Sequence, residues 1–188
     1  MPIIQTTPPA AEPLGLATVK AHLRITHAEE DTTLTRLVSA ARREVERRAG
    51  LCLISQGWSV FSDGWPADGC IALPLHPVAA ITALTIHGED DTPATIEASH
   101  YFLDRVRRPA RLVMRQGRWL PPPGRAANGI EVALTAGFGA TEADVPEDLR
   151  QAMLMLIAHW YAERGDEGRK ALPMPALALL EPWRAVRL

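Results

Sequence analysis

Lysine is almost absent from this chain: Lys20 and Lys170 are the only two in 188 residues, whereas arginine is abundant. Cationic and anionic residues nearly balance, 20 Lys plus Arg against 22 Asp plus Glu, for a formal charge of -2. That balance argues against a chain-wide cationic surface for nucleic acid and leaves only a local patch open. The preference for arginine points to a GC-rich genome. Cysteine is scarce too, with Cys52 and Cys70 alone. Two buried thiols in a reducing compartment are the simplest reading, and a pairing across the fold is the alternative. No window reaches the roughly 20 apolar residues of a transmembrane helix. Residues 1–13, MPIIQTTPPAAEP, lack the basic flank and apolar core of a signal peptide, so a soluble protein is expected.

Motifs that carry chemistry are missing as well. Histidines stand at positions 22, 27, 76, 87, 100 and 159, with no HExxH or other closely spaced metal pattern. Glu89, Asp90 and Asp91 fall in a turn, where Asp is favoured for backbone reasons. Asp63 and Asp68 flank a glycine-containing loop without EF-hand order. Gly137-Phe-Gly139 is too short for a dinucleotide fingerprint, and there is neither a Walker lysine nor a GxSxG serine. His159, inside an apolar helix, reads as a core or interface imidazole. No catalytic residue, metal ligand or cofactor site is therefore expected, and the weight moves to a protein that works by binding.

The strongest element is residues 144–164, DVPEDLRQAMLMLIAHWYAER. Leu149, Met153, Leu156 and Trp160 recur at helical spacing, with Ala152, Ile157 and Ala158 widening the apolar face. Asp144 and Glu147 are spaced as a capping box, and Gly165 then Gly168 supply the stop. Earlier, Leu16, Val19 and Leu23 mark a short helix through Arg24. Thr26 and Glu29 are spaced as a second capping box, before a helix carrying Leu34, Leu37, Val38, Ala41, Val45 and Ala49 on one face. Its other face holds Arg36, Arg42, Arg43 and Arg47, interrupted by Glu44 and Glu46. A solvated or subunit-facing ridge is expected there, with nucleic-acid contact as the alternative. Gly50 ends it in a left-handed cap.

From Ser55 the period changes to that of strands: residues 58–61, 70–75, 81–87, 95–96, 101–103, 111–114 and 130–136. DGWPADG and Gln116-Gly-Arg118 read as turns, and the PPPG run at 121–124 as an extended loop. Helices, then strands, then a helix indicate an α+β fold: a helical body with a long helix in its C-terminal half and an inserted antiparallel β-rich region. The expected organisation is a flexible arm over residues 1–13, helical body over 14–54 and 141–168, the β-rich insertion over 55–140, and a tail over 169–188. Five tryptophans stand against two tyrosines and three phenylalanines. Trp160 is most simply core. Trp65, Trp119 and Trp183 either anchor a partner or pack under their own loops.

These segments together resemble the head–tail connector (adaptor) proteins of tailed phages, the branch also found in gene transfer agents. The resemblance is carried by LATVKAHLRITHAEEDTTLTRLVSAARREVERRAG at residues 16–50 and LPLHPVAAITALTI at 73–86. It continues through IEVALTAGFG and VPEDLRQAMLMLIAHWYAERG within 130–165 and MPALALLEPWR at 174–184. It implies a twelve-subunit ring beneath the portal protein, widening the DNA channel and offering a surface to the next tail-side connector or stopper. DNA would pass through the lumen without specific binding. It also implies a virion protein of the head–tail joint, assembled in the host cytoplasm, with no active site and no membrane. By the same resemblance, residues 172–188 would dock on the portal through Met174, Pro175, Leu179, Leu180, Pro182, Trp183 and Arg184. A ring needs two different faces on each subunit, and Arg36, Arg43 and Arg47 of one copy facing Glu147 of the next would suit. The rival reading is a tail-completion or stopper-type virion protein, with a small enzyme as the reading from another class.

Overall fold

The computed structural model describes residues 1–115, 121–163 and 172–184. It divides into two compact units, a β-rich one from Met1–Pro9 and Ser55–Gly137, and a helical one from Ala10–Ile54 and Phe138 onward. The fold class is α+β, as the order of periodicities implies.

In the helical unit, α1 (Leu16–Leu23) and α2 (Asp31–Ala49) precede the β-rich segment, and α3 (Glu147–Ala162) and α4 (Met174–Leu180) follow it. Leu34, Val38, Ala41, Val45 and Ala49 of α2 are buried, at steps of three and four residues. They share one core with Leu149, Ala152, Met153, Leu156 and Ile157 of α3. Val19 from α1 and Ala176 and Leu180 from α4 complete it. Arg24 and Gly50 take the left-handed conformation that ends α1 and α2, at φ 58° and 66°.

Neither expected capping box forms as spaced: one is displaced and the other is absent. The box forms one turn earlier than expected, between Thr141 and Asp144 on a 3-10 turn at Glu142–Asp144. Asp144 Oδ2 accepts from the Thr141 amide and hydroxyl at 2.9 and 2.8 Å. α3 then starts at Glu147 behind Pro146, with no side-chain cap. Glu147 and Asp148 instead suit the positive end of the helix dipole. Likewise α2 begins at Asp31, not after Thr26, and Glu29 pairs with His27 Nδ1 at 2.7 Å.

Among the described residues the β-rich unit holds eight strands: β1 (Ile3–Thr7), β2 (Gln56–Ser62), β3 (Cys70–Leu73), β4 (Val78–His87), β5 (Pro93–Thr95), β6 (Tyr101–Asp104), β7 (Ala110–Met114) and β8 (Ile130–Ala136). They form two antiparallel sheets, in the orders β1-β2-β8-β4-β5 and β3-β7-β6. Central β8 buries Ile130, Val132, Leu134 and Ala136 in strict alternation. On its opposite face Glu131 accepts from Ser59 Oγ at 2.6 Å and meets His87 Nε2 at 3.2 Å. Residues 3–7 are an edge strand paired with β2 from Ile3↔Val60 to Thr7↔Gly57, not the free arm the sequence suggests. Every residue of β1 is exposed, so no alternation marks it and only the distant partner makes it a strand.

Cys52 is buried in the helical unit and Cys70 half-buried on β3. The Gln116-Gly-Arg118 turn, Trp119, the Gly165 and Gly168 stop, and residues 185–188 lie outside the described residues.

Candidate docking and assembly surfaces

The 174–184 segment is α4 followed by a 3-10 turn at Glu181–Trp183. Pro175 occupies the first helical turn, where a missing amide costs nothing. Ala176 and Leu180 lie four residues apart and enter the core of the helical unit. Trp183 donates its indole N–H to Asp148 Oδ2 at 2.7 Å and meets Phe138 edge-on, centroids 5.4 Å apart. One face of the proposed docking segment is thus built into its own fold. Leu179 is half-buried against the same core, whereas Met174, at 73% exposure, Pro175, Pro182 and Arg184 face outward.

The Arg-rich face of α2 is not uniform. Arg42 is buried among its partners, Nε 2.8 Å from Glu12 and Nη1 3.0 Å from Glu46. Burial opposes its charge, but the bond to Glu12 and the field of Glu46 outweigh it and raise its pKa. It holds the approach to α1 against α2, a structural role. Arg36 and Arg43 are exposed. Arg47 and Arg48 both engage Glu44, Arg47 at 2.8 Å. Although burial pushes the Glu44 carboxyl up, the bonds from Arg48 and Arg47 hold it below the usual range. Glu147, the proposed acidic counterpart, pairs with Arg150 within its own helix.

Two of these residues converge. A groove of about 260 Å³ is lined by Arg47 and Arg48 of α2 and by Leu177, Leu180, Glu181 and Arg184. The sequence reading assigns Arg47 to a subunit contact and Arg184 to docking; here they share one rim. Leu177, Leu180, Glu181 and Arg184 follow three- and four-residue spacing, a signal that does mark one face, but nothing in the sequence joins it to Arg47. Arg36, Arg43 and Glu147 do not line it. Trp65 is tied within the chain to a different loop, donating Nε1–H to Pro121 O of the proline run at 2.9 Å. Among the described residues no group of three or more His, Cys, Asp or Glu is placed to hold a metal ion. No described helix is long and apolar enough to cross a membrane.

Comparison with known proteins gives a consistent picture. A chain of the virion of a native gene transfer agent particle is 31% identical, with a TM-score of 0.84; all of this chain aligns with 97% of that one. A chain of the neck of an empty particle, computed with C6 symmetry, is 30% identical with a TM-score of 0.85. A chain of the neck of a native particle, computed with C12 symmetry, is 31% identical with a TM-score of 0.81. Both neck chains are likewise covered over 97% of their length by the whole of this chain. No curated protein matches. The family model described as head completion protein matches residues 14–172, most of the chain, and the chain belongs to that family.

Proposed function

We propose that the protein is a structural, non-catalytic component of the head–tail joint of a tailed phage or gene transfer agent, completing the head at the neck. The full-length likeness to neck chains, alongside the head completion match, is the observation that carries this reading. It favours the completion or stopper-type role over the adaptor role that the sequence resemblance implies.

The adaptor role is the second reading, favoured by cyclic symmetry in the reconstructed necks that contain similar chains. In it, twelve copies form a ring under the portal and lengthen the DNA channel. Met174, Pro175, Pro182 and Arg184 supply the outward face for the portal, while Leu179, Leu180 and Trp183 hold that face in position.

Co-sedimentation with packaged heads lacking this protein tests both. Saturable binding to heads, with infectivity or transfer restored, supports completion at the neck. Binding to isolated tails and none to heads would overturn it. About twelve copies per portal ring, lost in M174E/R184E, would select the adaptor reading; stoichiometry unchanged in that variant would remove the docking segment from the contact.

A further inference from the structure

The chain's near-neutral balance hides a separation of charge inside the β-rich unit. Residues 104–115, DRVRRPARLVMR, carry five arginines and one aspartate. That aspartate, Asp104, pairs with Arg111 at 2.8 Å, and Arg105, Arg107 and Arg108 are exposed at the β6–β7 turn around Val106, which is 97% exposed. Residues 88–97, GEDDTPATIE, carry four acids and no base. Glu89, Asp90 and Asp91 form the exposed β4–β5 turn, Glu97 follows β5, and of these acids Asp91 pairs with Arg125 at 2.5 Å.

The two turns sit at opposite ends of one strand. Arg105 donates to the Ala79 carbonyl, 2.5 Å away, at the start of β4. The acidic turn follows His87, at its other end. Eight residues of strand separate them by roughly 25 Å, about three Debye lengths at physiological salt. They cannot neutralise each other within one chain.

We propose that the basic β6–β7 turn of one copy docks on the acidic β4–β5 turn and Glu97 of the next, as a head-to-tail contact between neighbouring copies. Two-fold pairing would occupy both turns of each copy with a single partner and close at two copies. A cyclic arrangement instead sets the basic turn of each copy on one neighbour and its acidic turn on the other, so the same contact repeats through a many-copy assembly. Strand addition is a poor substitute on the β5 side: that edge is three residues long and Pro93 offers no amide. The contact rests on the reading of a multi-copy neck component.

Charge exchange tests it. Bound copies per head are titrated for the parent chain, R107E, E89R/E97R and the three changes combined. Each partial variant is expected to bind at least about tenfold more weakly, and the combined variant to recover most of the loss. Raising salt should bring the parent toward the partial variants. The scarcity of lysine supplies a second readout: R107K keeps the charge and creates a carbodiimide target, expected to cross-link between copies to residues 89–97. Equal binding by parent and R107E would overturn the contact. So would weakening confined to R107E with no such cross-link, which would direct the basic turn to DNA phosphates. If the parent fails to bind heads, the neck reading falls, and the R107K cross-link in concentrated free protein still decides the contact.

Discussion

Gly137 and Gly139 show how single residues set the join between strand and helix. Gly137 has φ 140°, which favours glycine. A methyl group on Gly139 would lie 2.3 Å from the Asp144 side chain, the acid that caps the Thr141 turn. Gly139→Ala should therefore destabilise the helical unit by about 1–3 kcal/mol, read as a lowered denaturation midpoint. The sequence makes both glycines visible but not their reasons, because the close approach to Asp144 is a fact of packing. His76 offers a pH test. Burial, then the nearby Arg108 guanidinium, hold its pKa below the ordinary 6.5. A histidine with a depressed folded pKa favours unfolding wherever the unfolded chain takes the proton first. Stability should be unaffected above pH 7 and fall as pH drops through 6.5 toward the folded value. His76→Gln should remove that component from the pH dependence of thermal unfolding, and an unchanged profile would refute the assignment.

Among the elements, those with a buried face were legible and those without were not. β8 alternates over seven residues and α2 keeps one apolar stripe over nineteen, so both could be read from periodicity. β1 has no covered face, and its strand conformation comes from β2, some fifty residues later. Asp144 and Glu147 have capping-box spacing and so suggest an earlier start for α3, but Thr141, three residues before Asp144, takes that carboxylate with both a hydroxyl and an amide. The segment over residues 174–184 is legible in the sequence as a unit, but not in its division between a face built into the core and a face turned outward. Leu180→Ala opens a cavity in the helical core and should cost about 2–5 kcal/mol. Changes at exposed Met174 should stay within about 0.5 kcal/mol. If M174E lowers stability as much as Leu180→Ala does, the assignment of inward and outward faces is wrong.

At the scale of the whole molecule, a formal charge of -2 says little about association, because the charges that matter are segregated within one unit. Composition excludes a uniformly basic protein and is silent about a turn of three exposed arginines. The arrangement of the two units along the chain has a different consequence. The chain passes between them after Pro9, Ile54 and Gly137, so the β-rich unit is complete once β8 is made, while the helical unit awaits α3. During synthesis at about 5–20 residues per second, the stripe from Leu34 to Ala49 stays uncovered for on the order of 10 s while more than a hundred further residues are added. An exposed apolar helix of that lifetime is a natural chaperone substrate. Ribosome-bound chains halted after β8 should therefore carry a protease-resistant β-rich unit and a chaperone-bound α2, and release the chaperone only when α3 has emerged.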